Sequence, residues 1–440
     1  ADGRKLDHRL VRNERPLFQS NACTLHSNSI VKIFARFQLK SRRDLLFAGL
    51  LLVLLSACGG SDSATTGNAG GGGPVPGYTY HSPPAIGDGW IVGDASNQGL
   101  SVERLEEMMA AIDRGEYPIV DSIAIASQGT LIFDETIRTG LDDKDQWVGN
   151  GDLSSHAQFS SSKSIASILI GIAIDLGNIG GVDVSYLTLF DYPSYDNWDE
   201  RKNQITLHHV LTMRLGLQWD EWSVPYGDPD NAVVRFFNTH HDYSKGLLDL
   251  PVEADPGTEF AYNTIASVSL CQAVQNQGPL TCVDFLKTYL LDPLSIARVA
   301  WVETPTGLPD LGGGLYLSGR DMLKFGQLYM DDGHWNGQQI VSSEWVAASI
   351  QTYTELAWTE PDSRDWKVDG YGYQWWVGHF EHNGQTLSAF AARGWGQQTL
   401  MVIPERELVI AINANDYDGH PDAVNQVFGL ISRFILPAPQ

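Results

Sequence analysis

The sequence predicts an α/β (α+β) fold, in which an antiparallel sheet flanked by helices carries an inserted all-helical domain. The prediction depends on strand-like runs near both ends of the chain and on a turn-rich, helical stretch between them. Strands at the two ends can share one sheet, while the helices between them pack as a separate unit. We therefore assign residues 86–182 and 302–440 to the α/β domain and residues 183–301 to the helical domain.

Local patterns predict the elements in order. Residues 101–113 place apolar side chains on one helical face. Residues 122–127 and 130–135 flank Gln128-Gly129, a hairpin signal because glycine readily takes a positive φ. The further expected elements are helices that begin at Ser160, Thr206 and Ser318, strands at residues 373–377, 386–392, 399–403 and 408–413, and a closing helix to about residue 434.

The first 57 residues differ from the rest of the chain. They carry ten lysine or arginine residues against four acids, a net charge of +6. No methionine precedes Met108, so we expect residues 1 to about 38 to be an upstream reading-frame extension. Residues 39–44 then form a basic segment, and residues 45–55 form an apolar segment that is too short to span a bilayer but suits a signal peptide.

A lipoprotein-type motif follows the apolar segment. Leu55-Ser56-Ala57-Cys58 resembles a bacterial lipobox, which implies lipid attachment at Cys58. The Gly/Ser-rich residues 58–85 suit a tether. We expect a lipid-anchored protein of the bacterial cell envelope that faces the periplasm; an ordinary signal peptide cleaved nearby is the alternative. In that oxidising compartment Cys271 and Cys282 either form a disulfide or remain two core thiols.

Net charge limits the partners. The whole chain carries −24, so the part after residue 57 carries −30. Such a surface repels nucleic acid and anionic lipid. We expect a small-molecule substrate, no nucleic-acid partner, and membrane contact only through the lipid anchor. The sequence does not specify an oligomeric state.

The sequence Ser160-Ser161-Ser162-Lys163 opens a long apolar stretch that is typical of a helix. Residues i and i+3 share a helical face, so Lys163 can reach the Ser160 hydroxyl. In apolar surroundings a lysine loses its charge readily and can act as a base. The helix N-terminus also offers N–H groups to a developing oxyanion. The alternative is a serine N-cap followed by an exposed lysine.

Two later segments carry candidate site residues. Tyr262 stands at a turn that enters a helix, where a nearby cationic lysine would favour its phenolate form and let it transfer protons. A tyrosine packed in the core is the alternative. Residues 392–398, ARGWGQQ, lie between two strand-like runs, where glycine permits close approach of backbone to a ligand. A glycine-rich hairpin turn is the alternative there.

The order of these segments resembles the serine β-lactamase and penicillin-binding protein superfamily. The likeness runs from about residue 90 to residue 434. Within the superfamily, the sequence is similar to the class C β-lactamase-like branch, which includes family VIII carboxylesterases and 6-aminohexanoate-dimer hydrolases. The resemblance implies a β-lactamase/transpeptidase-like fold with a site between its two domains. It also implies Ser160 as acylated nucleophile, Lys163 as its proton acceptor and Tyr262 as partner acid/base. Backbone N–H groups of Ser160 and Trp395 would form the oxyanion hole.

Two motifs depart from the superfamily pattern. Thr264 stands where an asparagine amide would hold a β-lactam side chain, and the usual Lys-Thr-Gly is replaced by a segment whose register the sequence leaves open. Arg393 is placed to substitute in part for the missing cation. Both departures favour esters or linear amides over β-lactams. The expected pocket residues are Thr264, Arg393, Gly394, Gly396 and His156, with a structural or exposed histidine as the alternative for the last.

Other chemistries lack their motifs. Gly-x-Ser-x-Gly and His-Glu-x-x-His are absent, and no dinucleotide or phosphate loop occurs. We therefore expect a serine hydrolase that cleaves small carboxylic esters or linear amides without metal or cofactor. The alternatives are a 6-aminohexanoate-oligomer-type amidase, a β-lactamase or DD-peptidase, and a non-hydrolytic cell-wall-binding protein.

Overall fold

The computed structural model describes residues 77–138, 155–356, 365–417, 419–420 and 422–436, together with the backbone of residues 23–26. The predicted signal peptide and Cys58 lie outside these ranges and stay predictions. Within the described ranges, no helix is both long enough and apolar enough to cross a membrane.

Most strands of the described residues belong to one large sheet. The strands are β1 (Cys23–His26), β2 (Ile91–Val92), β3 (Val120–Ser127), β4 (Thr130–Thr136), β5 (His156–Ala157), β6 (Ala300–Glu303), β7 (Leu315–Leu317), β8 (His334–Trp335), β9 (Gln338–Gln339), β10 (Thr354–Glu355), β11 (Trp366–Tyr371), β12 (Trp376–His382), β13 (Gln385–Gly394), β14 (Gln398–Ile403) and β15 (Leu408–Ala414). Nine of them pair in the order β10-β11-β12-β13-β14-β15-β3-β4-β2, and every neighbouring pair except β2 with β4 is antiparallel. Both ends of the chain therefore build the same sheet, as predicted.

Two helices begin directly after the cap residues that the sequence predicts. The Thr206 hydroxyl accepts from the His209 N–H at 3.3 Å, and the Ser318 hydroxyl accepts from the Asp321 N–H at 3.0 Å. The helix after Thr206 ends at Leu211, because Met213 has a φ of 57°, which does not continue the helical path. The helices are α1 (Val102–Asp113), α2 (Ser162–Asp175), α3 (Leu207–Leu211), α4 (Ala232–Thr239), α5 (Tyr243–Asp249), α6 (Thr264–Gln277), α7 (Cys282–Leu286), α8 (Gly319–Met330), α9 (Ser343–Ser349) and α10 (Ala423–Leu430).

Helices cover both faces of the sheet. Strands β14 and β15 are buried along their whole length, as expected for strands enclosed between two helical layers. Helix α8 packs on one face and approaches closely at Gly326, where an added Cβ would lie 2.4 Å from Val409 Cγ1. Helix α10 lies on the opposite face, where Phe428 stacks on Trp366 of β11.

Helix α2 joins the sheet to the helical part of the molecule. It packs against α6, contacts β13, and lies next to the small sheet formed by β5, β7, β6 and β1. Helices α3 to α7 all fall within the predicted helical domain. The domain boundaries at residues 183 and 301 stay predictions. The N-terminal end of α2 therefore faces both the sheet and the helical segment.

A disulfide joins two of these helices. Cys271 on α6 and Cys282 at the start of α7 are bonded, with Cα atoms 5.6 Å apart. Both side chains are fully buried. Of the two alternatives that the sequence leaves open, the structure contains the bonded pair.

Candidate active site

Ser160 lies where the chain turns from β5 into α2. It belongs to a 3₁₀ turn, Phe159–Ser161, so the regular α-helix starts two residues later than predicted. Phe159 has a φ of 45°, an uncommon conformation for a residue with a side chain. Its ring packs against Trp395 and Tyr417, with ring centroids 5.3 and 5.8 Å away. These contacts support the strained turn that presents Ser160.

Lys163 is buried, with 1% of its surface exposed. Its Nζ lies 3.0 Å from Ser160 Oγ, 3.0 Å from Thr264 Oγ1 and 2.6 Å from the Gly312 carbonyl oxygen. A neutral amine has two N–H groups and one lone pair. When Thr264 and Gly312 accept the two N–H groups, the lone pair faces the Ser160 hydroxyl. The structure therefore brings the predicted serine and lysine together in an orientation suited to proton transfer.

Burial changes the proton affinity of this lysine. Desolvation lowers the pKa of Lys163 to about 8, while the negative charges of Glu221 and Asp310 oppose the change. A lysine of ordinary pKa stays almost fully protonated at neutral pH. The lowered value makes the neutral amine, which is the form that can accept a proton, accessible near neutral pH.

Glu221 orients the Thr264 hydroxyl. It is 2% exposed, and its Oε1 accepts from the hydroxyls of Thr264 at 2.5 Å and Tyr226 at 2.7 Å. Its Oε2 accepts from the Thr264 N–H at 2.7 Å and from Trp219 Nε1 at 3.0 Å. Because the Thr264 hydroxyl donates its proton to Glu221, its oxygen is left to accept from Lys163. Glu221 therefore influences Lys163 in two ways: it orients the Thr264 hydroxyl that accepts from the lysine, and its negative charge attracts the ammonium.

A glycine turn supplies the remaining acceptor of Lys163. Asp310 Oδ1 accepts from the N–H groups of Gly312 at 2.8 Å and Gly313 at 3.1 Å, which fixes the turn. An added Cβ at Gly312 would lie 2.7 Å from the Thr264 carbonyl oxygen, so this position requires glycine. Burial raises the pKa of Asp310 to about 6, against the opposing charge of Lys163. A second carboxylate thus lies near the lysine.

Tyr262 stands within a stack of aromatic rings. Its ring lies between Trp222 and Trp376, with centroids 5.0 and 5.8 Å away and interplanar angles of 23° and 25°. Its phenol lies close enough to Ser160 for that hydroxyl to influence its pKa, and its ring centroid lies 4.9 Å from Lys163 Nζ. The structure therefore groups the three predicted reactive residues.

The expected phenolate form of Tyr262 is wrong. Burial, and then the negative charge of Glu221, raise the pKa of Tyr262 above its ordinary value, and the neighbouring Ser160 hydroxyl and the positive charge of Arg393 oppose them only in part. Burial in the aromatic stack raises the pKa of Tyr262 more than a nearby lysine cation would lower it. Burial therefore favours the neutral phenol of Tyr262 over its phenolate.

Strand β13 passes directly beside the turn that carries Ser160. An added Cβ at Gly394 would lie 2.2 Å from the Gln158 carbonyl oxygen, so the contact requires glycine. Trp395, the next residue, lines the same cavity as Ser160. The register that the sequence left open is therefore fixed, with Gly394 against the turn and Trp395 at the cavity.

Three predicted pocket residues do not line this cavity. The Arg393 guanidinium lies 5.0 Å from the centroid of Phe428, because alternate residues of a strand face opposite sides of a sheet. Gly396 follows the strand with a φ of 80°, in the bend after β13. His156 is 1% exposed, and its Nε2 lies 2.9 Å from Asp121 Oδ2, a buried pair inside the α/β core. Of the alternatives for His156, the structural one holds.

A cavity opens at Ser160. Thr264 lines it as predicted, with Asp310 as a further polar residue. The aromatic residues that line it are Phe159, Tyr226, Phe237, Tyr316 and Trp395. Across the described part of the chain, no group of three or more His, Cys, Asp or Glu residues is arranged to hold a metal ion.

Comparison with known proteins assigns this arrangement to a family. The family model described as Beta-lactamase matches residues 118–428, which is most of the chain and includes every residue of the site. The chain belongs to the β-lactamase family. Together with the hydrolases described next, this membership makes the protein a serine hydrolase, as predicted.

One sequence relative supports the enzyme class, and two solved structures support the fold. The 6-aminohexanoate-dimer hydrolase of Paenarthrobacter ureafaciens is 26% identical over 301 residues, which cover 64% of this chain and 69% of that protein. The structure of EstCE1, a hydrolase with promiscuous acyltransferase activity, matches with a TM-score of 0.56 at 16% identity over 76% of this chain and 97% of the other. A penicillin-binding protein homologue from Caulobacter crescentus matches with a TM-score of 0.55 at 15% identity over 76% and 99%. These likenesses confirm the β-lactamase/transpeptidase-like fold.

Sequence reasoning missed several residues of the site. Glu221, Asp310 and Gly312 were not predicted to act on Lys163, and Tyr226 and Tyr316 were not predicted to line the cavity. The run of three glycines that begins at Gly312 was a visible signal, because such runs often mark close backbone approach. Glu221 carried no comparable signal, since it lies in a turn-rich segment 43 residues before its partner Thr264.

Proposed function

We propose that this serine hydrolase cleaves carboxylic esters or linear amides of small molecules through an acyl-enzyme on Ser160. The observation that carries the proposal is the position of Lys163 Nζ, 3.0 Å from Ser160 Oγ, with its other two hydrogen bonds fixed by Thr264 and Gly312. A buried, oriented amine beside a hydroxyl is the arrangement that activates a weak nucleophile.

Acylation would proceed by proton transfer to the lysine. Lys163 takes the Ser160 proton as Oγ forms a bond to the substrate carbonyl carbon. The tetrahedral intermediate then collapses, its bond to the leaving oxygen or nitrogen breaks, and the leaving group takes the proton from Lys163 through the Tyr262 hydroxyl. Water, deprotonated by the same lysine, then attacks the acyl carbon. The bond between that carbon and Oγ breaks, and Oγ takes the proton from Lys163, which releases the acid and restores the Ser160 hydroxyl.

Two backbone N–H groups are the proposed oxyanion donors. Ser160 lies in the first turn before α2, and Trp395 follows the glycine that contacts that turn. Donors of this kind stabilise the charge that develops on the carbonyl oxygen. We assign this role to the N–H groups of Ser160 and Trp395.

The altered motifs favour acyclic substrates over β-lactams. The Thr264 hydroxyl is engaged by Lys163 and Glu221, so it does not offer the amide that the superfamily pattern places there. The relative from Paenarthrobacter ureafaciens is named for an amide of 6-aminohexanoate, which keeps an amidase as the second candidate. Parallel assays with a short p-nitrophenyl ester, a 6-aminohexanoate dimer and a chromogenic cephalosporin separate these activities.

Paired serine variants test the nucleophile. Ser160→Ala is expected to lower turnover of a p-nitrophenyl ester by at least about 10³-fold. Ser161→Ala is the matched control, because the neighbouring hydroxyl is buried without a hydrogen-bond partner among the described residues and its loss should leave turnover intact. Circular dichroism checks that both variants fold. Turnover that persists in Ser160→Ala but falls in Ser161→Ala would reject the assignment.

The cell-envelope location is a separate proposal. It rests on the apolar segment and Cys58 in the sequence. Expression of the full chain in a bacterium should yield a membrane-associated form that carries lipid at Cys58, and Cys58→Ser should release the protein from the membrane fraction. Equal membrane association of both forms would contradict it.

A further inference from the structure

Asp310 brings a negative charge into an otherwise apolar cavity. It is 3% exposed, and among the described residues that line the cavity with Ser160 it is the one carboxylate. Burying a charge without a partner costs free energy, so buried carboxylates in proteins are normally paired. Asp310 should therefore have a partner that donates a hydrogen bond or carries a positive charge.

The protein satisfies one oxygen of this carboxylate. Oδ1 accepts from Gly312 and Gly313, whereas Oδ2 accepts no hydrogen bond from the part of the chain that the structure describes. Lys163 does not fill the gap, because all three of its hydrogen bonds go to Ser160, Thr264 and Gly312. An ionised carboxylate has about four acceptor sites. Oδ2 is thus left to accept a donor from within the cavity.

A hydroxyl and aromatic faces complete the surroundings. Tyr316 lines the same cavity, is 5% exposed, and makes no hydrogen bond through its hydroxyl within the described ranges. The charge of Asp310 acts on that phenol. Rings of Phe159, Tyr226 and Trp395 line the cavity as well, and ring faces attract cations.

We propose that this cavity selects substrates that carry a primary ammonium group, which Asp310 Oδ2 and the Tyr316 hydroxyl bind. The proposal rests on the proposed function and names its substrate class: amino-substituted esters or linear amides. A primary ammonium supplies N–H donors to both oxygens at once. A quaternary ammonium has none, so the hydrogen-bond pattern favours the primary amine.

Binding of simple cations tests the subsite without catalysis. Calorimetry compares n-hexylammonium with 1-hexanol, which share an alkyl chain but differ in charge. The wild type should bind the ammonium about tenfold more tightly, the range of a charge-assisted hydrogen bond. Asp310→Asn should lose this preference, because the amide keeps an oxygen for the glycine N–H groups but removes the charge.

Glu221→Gln is the matched control. It also removes a negative charge near Lys163, but Glu221 does not line the cavity, so the preference for the ammonium should remain. Absence of ammonium binding by the wild type, or an equal preference in Asp310→Asn, would overturn the proposal.

Hydrolysis of a matched ester pair separates this proposal from the proposed function. The probes are p-nitrophenyl 6-aminohexanoate and p-nitrophenyl heptanoate, which differ by an ammonium in place of a methyl group. A kcat/KM ratio of about ten in favour of the first ester, lost in Asp310→Asn, supports the subsite. Equal hydrolysis of both esters by the wild type refutes the subsite and leaves the hydrolase. Ammonium binding without hydrolysis of either ester refutes the hydrolase and leaves the subsite.

Discussion

The negative charge of Glu221 should set the pH at which the enzyme becomes active. The Glu221 and Lys163 side chains are linked through Thr264 Oγ1, so their charged atoms lie within about 5.5 Å of each other. At an effective dielectric constant of about 20, that separation corresponds to about 3 kcal/mol of attraction. Removing the charge would therefore lower the pKa of Lys163 by up to about two units.

The sign of the change in activity follows from the role of the lysine. Lys163 acts as a base only when neutral, so kcat/KM should rise with pH through about 8 in the wild type. Glu221→Gln lowers that pKa, so the acidic limb should move to lower pH. The maximum rate should fall as well, because an amide can donate to the Thr264 hydroxyl and turn its proton toward the lysine lone pair.

The assay is the pH dependence of kcat/KM for a p-nitrophenyl ester at constant ionic strength. Tyr226→Phe is the control, since it removes one hydrogen bond to Glu221 but keeps the charge. Its acidic limb should stay in place. An acidic limb that stays fixed or moves to higher pH in Glu221→Gln would refute the reasoning.

Three further changes probe separate contacts. Thr264→Val should lower kcat by about tenfold or more by removing an acceptor of Lys163, whereas Thr264→Ser should recover most of the activity; equal activity of the two variants would count against the hydrogen bond. Gly394→Ala should lower the free energy of unfolding in urea by about 1–3 kcal/mol and reduce activity, because the added carbon would meet the backbone oxygen of Gln158. An unchanged unfolding midpoint would contradict this contact. Binding of n-hexylammonium should weaken as the pH falls through about 6, because burial raises the pKa of Asp310 to that value while the neighbouring Lys163 and Tyr316 stay protonated there; pH-independent affinity would contradict this.

The fold was largely predictable because its signals are local. The hairpin at Gln128-Gly129, the caps at Thr206 and Ser318, and the strands predicted at residues 122–127, 130–135, 386–392, 399–403 and 408–413 appear in the structure. The strand predicted at residues 373–377 is wrong, because Gln374 has a φ of 63°, which breaks the extended path, and β12 begins only at Trp376. The short strands β5, β6 and β7 were missed, because strands of only two to four residues leave little periodicity in a sequence.

The reactive residues were predictable because their spacing carries the information. Ser160 and Lys163 are one helical turn apart, and Tyr262 follows a turn motif. The residues that tune them were not predictable, since Glu221 and Asp310 reach the lysine only through tertiary contacts. The same limit explains the error about the Tyr262 phenolate: the sequence shows a lysine that favours charge, but the aromatic stack that disfavours it exists only in the folded chain.

Covalent labelling with a fluorophosphonate probe, followed by peptide mapping, tests the central claim most directly. We predict a single adduct on Ser160 that forms rapidly in the wild type, is absent in Ser160→Ala, persists in Ser161→Ala, and forms much more slowly in Lys163→Met. An adduct on another residue, or ester hydrolysis by a wild-type protein that the probe does not modify at Ser160, would contradict the assignment of Ser160 as the nucleophile.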